Sequence, residues 1–200
     1  MFKISRVFLL VVAVMASSIS YGRSTLMDEL AGVMHGATAH APAGAEDEFG
    51  FSPEGSAKTL VLKFVASSTK TLDIMAYAFT SQDITTAVVE AARRGVRVRL
   101  VADYAENITK DSSGAAQRAL SRLAKAGCEV RLTRAYPIHQ DKIMIVDGRH
   151  LLNGSFNFTA AAQSRNSENV SVRWNNAKAA TIFQGHFESR FDPAIPFPLR

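Results

Sequence analysis

The chain has 200 residues, 47% of them hydrophobic and 20% charged, with 23 Lys and Arg against 18 Asp and Glu and a formal net charge of +5. That is enough chain and enough apolar residue for one globular domain with a sizeable core, and it excludes a fibrous repeat or a disordered polyelectrolyte. The positive excess is mild: it suits a polyanionic substrate without requiring one, and a single cysteine, Cys128, excludes an internal disulfide.

In chain order, Lys3 and Arg6 precede an apolar run from Val7 to Ala16, then small and polar residues to Gly22. Residues 1–22 therefore read as a secretory signal, which would place the remainder in the periplasm or outside the cell. The run is shorter than the roughly 20 residues of a membrane span. Residues 23–50 are rich in Ala and Gly, hold His35, His40 and Pro42, and end in Glu46-Asp47-Glu48. They read as a short helix over 26–34 followed by a linker. The two histidines have no third ligand at metal spacing, so a solvated linker accounts for them.

From Phe51 onward helix and strand signals alternate. Ser52 followed by Pro53 marks a helix start, with Ala57, Leu60, Val61, Phe64 and Val65 on one face. A buried strand is predicted over 72–79. Ser81 caps a second helix, striped by Ile84, Ala87, Val88 and Ala91 and ended by Arg93-Arg94-Gly95. A strand over 96–101, a helix over 115–126 closed by Gly127, and a strand over 128–132 follow. Strands over 142–146 and 150–152 are joined by Asp147-Gly148, a hairpin-turn dipeptide. A helical segment over 159–163, a strand over 169–174 and a helix over 177–191 complete the pattern. Strands separated by helices of this length imply an α/β fold over 51–200, with a mostly parallel mixed sheet flanked by helices and one antiparallel hairpin. Cys128, before an alternating strand, reads as a small buried hydrophobe.

Chemistry concentrates in 137–157, Pro-Ile-His-Gln-Asp-Lys-Ile-Met-Ile-Val-Asp-Gly-Arg-His-Leu-Leu-Asn-Gly-Ser-Phe-Asn. On a strand Gln140, Lys142, Met144 and Val146 share one face, and Asp141, Ile143 and Ile145 the other. The Lys142 ammonium, with Ser155 and Asn157 on a Gly-led turn, is a donor set suited to phosphate oxygens. Regular geometry sends His139 to the face opposite Lys142; a β-bulge near Pro137 or Gln140 would bring it back. His150 reads as an exposed turn-flanking residue, and His186 as a core histidine beside Ile182, Phe183 and Phe187. Arg118, Arg122 and Lys125 fall at i, i+4 and i+7, and Arg93, Arg94, Arg97 and Arg99 cluster near a strand start. Each group reads first as a solvated basic face, with a track for a nucleic-acid backbone as the alternative.

Lys142, Asp147, Gly154, Ser155 and Asn157 stand as they do in the phosphate-site motif of the phospholipase D superfamily, which this segment resembles: His-x-Lys, four residues, Asp, then Gly-Ser-x-Asn. Pro53-Glu54-Gly55-Ser56, Met75-Ala76-Tyr77-Ala78-Phe79-Thr80 and Gly154-Ser155-Phe156-Asn157-Phe158-Thr159 look much like its small secreted or periplasmic endonucleases with one motif per chain. The resemblance extends over roughly 51–191 and departs at one place, where Gln140 stands two before the lysine and the histidine is His139. It implies a metal-independent phosphodiesterase with no cofactor, in which one histidine forms a phosphohistidine and another protonates the leaving oxygen. Lys142, Ser155 and Asn157 would bind phosphate, Glu168 would orient an imidazole, and Asp147 would be mainly structural. His139 would be the nucleophile if the strand is irregular; otherwise Gln140 takes its place, and an amide forms no phosphohistidine. Since the chain has no internal duplication, the resemblance implies a homodimer with the site on the two-fold axis. It implies a nonspecific endonuclease acting on DNA or RNA. The alternatives are a phospholipase D acting on phospholipid headgroups and a module that binds phosphate or nucleic acid without cutting.

Overall fold

A computed structural model describes Gly44 and residues 46–198; the signal over 1–22, the helix over 26–34, His35 and His40 lie outside the described residues. The elements are β1 (Glu46–Ser52), α1 (Ser56–Ala66), β2 (Thr71–Ala76), α2 (Gln82–Arg93), β3 (Arg97–Asp103), a π-type turn at Ala105–Thr109, α3 (Ala115–Lys125), β4 (Glu129–Thr133), β5 (Lys142–Val146), β6 (His150–Gly154), α4 (Ala160–Ser164), β7 (Glu168–Trp174), α5 (Ala177–Phe191) and β8 (Ile195–Pro196).

Eight strands form one sheet in the order β1-β7-β6-β5-β2-β3-β4-β8. The α/β class, the mixed sheet and the flanking helices agree with the alternation of sequence signals. The balance of pairings does not: β2, β3 and β4 are parallel, and the other five neighbouring pairs are antiparallel. Two parallel units need helical crossovers, which α2 and α3 supply; the rest of the sheet closes by hairpins and edge strands.

Two further differences lie at the start. The acidic run read as a linker end is part of β1, which pairs antiparallel with β7 from Glu46↔Trp174 to Ser52↔Glu168. Ser52 thus belongs to a strand, and α1 begins at Ser56 after Gly55 in a left-handed conformation, with φ 93°. The Ser56 hydroxyl accepts from Phe51 N at 2.8 Å, tying strand end to helix start. Gly50 lets α1 approach β1, since a Cβ there would lie 2.8 Å from Ala57 Cα.

The apolar stripes land as their spacing requires. Ala57, Leu60, Val61, Phe64 and Val65 of α1 and Ile84, Val88 and Ala91 of α2 pack with Leu120 and Leu123 of α3 on one face of the sheet. That face presents Ile74 and Ala76 of β2, Met144 and Val146 of β5, and Val170 and Val172 of β7. The opposite face presents Met75, Val101, Ile143, Ile145 and Leu151 to Ala180, Phe187 and Phe191 of α5. Under α5, Arg99 makes paired bonds to Asp73 (2.8 and 2.8 Å) and to Glu188 (3.0 and 2.7 Å). Such a fork-shaped pair fixes orientation as well as charge. Cys128 is buried, and burial pushes its thiol up to about 11, where it is unreactive at neutral pH.

The β5–β6 turn spans residues 147–149, with Asp147 (φ 54°) and Gly148 (φ 62°) both left-handed and Arg149 N donating to the Val146 carbonyl at 3.0 Å. The Asp147 carboxylate reaches back to the start of β2. It accepts from Thr69 N, Lys70 N (2.8 Å), Thr71 N (2.9 Å) and Thr69 Oγ1 (2.7 Å). Burial works to raise its pKa, but these bonds prevail and hold it below the usual carboxylate range. A group with a depressed folded-state pKa contributes stability above its unfolded pKa and loses it as pH falls through the folded one. Asp147→Ala should therefore lower unfolding free energy by roughly 2 kcal/mol at pH 7. The gap from wild type should narrow below about pH 4, the unfolded aspartate value, as read by urea denaturation across pH. A pH-independent gap would contradict a charge-based role.

Candidate active site

The alternation of β5 decides which groups meet. Lys142 lies opposite Ala76 in the ladder, so its side chain shares the face of Ala76, Met144 and Val146; Ile143 lies opposite Met75 on the α5 side. Lys142 is only 7% exposed. Its Nζ donates to the Gln140 carbonyl at 2.6 Å and stands 5.4 Å from the Tyr77 ring centroid. Burial pushes the ammonium pKa down, opposed by the charges of Glu168 and Asp141.

Glu168 opens β7 two residues before Val170 and so points to the same face as Lys142. It receives the Ser155 hydroxyl at 2.6 Å and Asn166 Nδ2 at 3.1 Å. Ser155 is held in turn, since Asn169 N donates to its Oγ at 3.0 Å and its own N–H donates to the Asn169 carbonyl at 3.1 Å. Gly154 is needed for that approach, because a Cβ would fall 2.2 Å from the Asn169 carbonyl oxygen. Two residues on, the Asn157 Oδ1 is buried without a partner. Amide oxygen and nitrogen are exchanged by turning the group over, so the same place can hold an unpaired donor. Lys142, Glu168 and Ser155 thus meet at one end of the sheet, and Asn157 lies two residues beyond Ser155.

His139 is not with them. It is 2% exposed, its backbone N–H donates to Asp103 Oδ2 at 2.8 Å, and its Nδ1 lies 3.6 Å from Asp141 Oδ2. Asp141 faces α5, where His186 Nε2 meets the same oxygen at 3.0 Å. The charges around the imidazole are Asp141, Asp103, Arg190 and His186; burial is the largest influence and pushes its pKa down. Its Nε2 is buried without a partner. Gln140 is exposed, and its backbone carbonyl accepts from the Lys142 ammonium. No bulge returns His139 to that side in this structure. Asp147 sits at the turn end of β5, five residues from Lys142, or about 17 Å along the strand. Its bonds are those of a structural residue. His150 accepts from Asn175 N at 2.9 Å and packs edge-on to Trp174.

The family described as "Cardiolipin synthase, PLD-like domain" matches residues 61–191. Nuc from Salmonella typhimurium, a phospholipase D family member, is 39% identical with a TM-score of 0.74, over 76% of this chain and 98% of that one. The chain belongs to the phospholipase D-like family. Among curated relatives, a mitochondrial cardiolipin hydrolase of Chlamydomonas reinhardtii is 37% identical over 131 residues, 66% of this chain and 56% of its own length. A phospholipase D of Rickettsia conorii is 32% identical over 122 residues, 61% of this chain and 58% of its own length. The chain therefore spans little more than half the length of these relatives. NucT from Helicobacter pylori shares the fold at 20% identity, with a TM-score of 0.67 over 76% of this chain and 99% of that one.

Two groups at this phospholipase D-like site escape a reading of the motif alone. The Tyr77 hydroxyl donates to Glu106 Oε2 at 2.6 Å, and that bond pushes its pKa up to about 12. The phenol stays protonated and holds its ring beside Lys142. Ser52, across the ladder from Glu168, has a buried Oγ without a partner. Tyr77 lies just past a strand end, where a functional side chain is a reasonable guess; nothing local marks Ser52, whose place depends on the β1–β7 pairing.

Glu168 and Lys142 act on each other, so removing the carboxylate has a definite sign. Glu168→Gln should lower the Lys142 ammonium pKa further, as followed by the lysine 13Cε shift during a pH titration. An unchanged pKa would mean that the two groups do not share a site.

Proposed function

We propose that the protein is a metal-independent phosphodiesterase that hydrolyses nucleic acid. The observation that carries this reading is the grouping of the Lys142 ammonium, Glu168 and Ser155 at one strand end, with the unpartnered Asn157 amide two residues beyond Ser155. An ammonium and neutral donors already in place stabilise charge on phosphate oxygens without reorganising at the moment of reaction. The exposed rim is polar, with Gln140, Ser155, Asn166 and Asn169, which suits a hydrophilic backbone. Exposed Tyr136 and Ile138 on the preceding loop, and the names of the curated relatives, support phospholipid as the alternative substrate. The sequence signal over 1–22 would place the activity in the periplasm or outside the cell.

In this reading one imidazole nitrogen attacks phosphorus, and the leaving oxygen departs with a proton from a second imidazole. Water, giving a proton back to that second imidazole, then attacks phosphorus and breaks the bond to the first imidazole. One motif supplies one imidazole, so the reading includes a second copy of the chain across the site. Delivering His139 requires residues 137–141, which precede β5 and make no ladder pairs, to change conformation so that His139 and Gln140 exchange places. One specific observation favours a second reading, a phosphate-binding protein that does not cut: the burial of His139 on the far side of the strand.

The two readings separate in plasmid cleavage with EDTA, comparing wild type, His139→Ala, Lys142→Ala and the exchanged variant His139→Gln with Gln140→His. The hydrolase reading expects wild type to cut, both alanine variants to fail, and the exchanged variant to cut at least about tenfold faster, the equivalent of about 1.4 kcal/mol of rearrangement removed. Cleavage by the exchanged variant alone would establish the binding reading. Parallel release of headgroups from phospholipid vesicles, with no cleavage of DNA or RNA, would assign the site to lipid.

A further inference from the structure

Away from the Lys142 site, two adjoining grooves open where α3 packs beside α2. One, of about 200 Å³, is lined by Thr80, Gln82, Thr85, Arg118 and Arg122. The other, of about 360 Å³, continues along α3 past Arg118 and Arg122 to Lys125. Three cations fall on one side of α3, a helix without an acidic residue. Among the described residues none of the three pairs with a carboxylate. Arg118 Nη1 donates to the Ser113 carbonyl at 3.0 Å and Arg122 Nη2 to Thr86 Oγ1 at 3.1 Å. The nearby carboxylates are engaged elsewhere. Asp83 pairs with Lys58, Glu90 with Arg93, and Glu129 with Arg131, while Asp111 accepts from Gln117 N at the start of α3.

This groove is tied to the phosphate site through the backbone. Thr80, at its near end, donates from N–H to the Phe158 carbonyl at 3.0 Å, and Ser81 N does the same at 2.9 Å. Phe158 follows Asn157, and Phe79 and Phe158 form a parallel bridge with their rings edge to face. Gln163 Nε2 donates to Ser81 Oγ at 2.7 Å, a further tie between α4 and the start of α2. The loop that carries Ser155 and Asn157 is therefore joined directly to the wall of the groove.

The geometry points to a second subsite, in which Arg118, Arg122 and Lys125 hold the phosphates of a nucleic-acid strand on one side of the bond at Lys142. This deepens the nucleic-acid reading and rests on it. From Arg118 to Lys125 the helix rises about 10 Å; at about 3.4 Å of axis per phosphate of one strand, that spans about three phosphates. Contacts of this kind position a backbone without reading bases, in keeping with a substrate of any sequence.

The test is salt-dependent binding of a duplex of about 20 bp, followed by fluorescence anisotropy in a Lys142→Ala background so that the DNA stays intact. Removing one cation that touches a phosphate should reduce the slope of log K against log salt by about 0.9. Arg118→Gln with Arg122→Gln and Lys125→Gln should thus lower it by about 2 to 3. A control with the same charge change, Arg93→Gln with Arg97→Gln and Arg149→Gln, lines neither groove nor site and should leave most of the slope. With Lys142 present, the groove variant should hydrolyse bis(p-nitrophenyl) phosphate within twofold of wild type, since that diester is too small to reach α3. Equal reduction in groove and control variants, or none in either, would overturn the proposal. So would groove-dependent retention on phosphatidylcholine vesicles containing phosphatidylglycerol, without any effect on duplex binding. If wild type fails to hydrolyse any diester, the hydrolase reading falls while the binding slope still decides the subsite.

Discussion

Side chains on a strand alternate between faces, and at the start of β5 this alternation divides the chemical groups of the protein into two sets. Lys142 points toward the face covered by α1, α2 and α3 and meets Glu168, with Ser155 bonded to that carboxylate, at its open end. His139 and Asp141 point toward α5 and meet His186 and Asp103. One residue of register separates an imidazole beside the lysine from an imidazole buried behind the sheet. The candidate phosphate-binding groups and the candidate nucleophile are thereby set apart by the same backbone that positions both.

In the proposed function the lysine side receives an anion. Burying an ammonium is costly unless partners compensate, and Lys142 has a backbone carbonyl, an aromatic face and the charge of Glu168 around it. Asn157 and Ser52 each keep a buried polar atom without a partner, at a cost of order 1–3 kcal/mol apiece. A bound phosphodiester would complete such a set. The histidine side has the opposite character, with two carboxylates and a second imidazole around a largely dry ring whose pKa burial depresses. A neutral His139 held there is a well-packed core residue that costs the protein one unsatisfied nitrogen.

Much of this was visible in the residues themselves. Helix faces such as Leu60, Val61 and Phe64, the cap at Ser81, the Asp147-Gly148 turn and the opposite faces of His139 and Lys142 all follow from short-range rules of spacing and turn chemistry. What those rules missed depends on partners distant in the chain. β1 is acidic and begins without an apolar run, and it becomes a strand because β7, over 100 residues away, offers it a ladder. Ser52 then pairs across from Glu168 instead of capping a helix. The predominance of antiparallel pairs has the same origin, since alternating strands and helices do not reveal that β5, β6 and β7 would lie between β2 and β1. Tyr77 and Glu106 are brought together only after β2 and β3 are paired, because each lies just past the end of its strand.

In the proposed function the anion site belongs to Lys142, Ser155 and Asn157, with Gln140 and not His139 on its rim. A crystal structure of the wild-type protein with bound tungstate tests this most directly. The anion should lie within hydrogen-bond distance of Lys142 Nζ, Ser155 Oγ and the Asn157 amide, with the His139 ring still against Asp141. An anion coordinated by the His139 imidazole, or one bound away from Lys142, would contradict it.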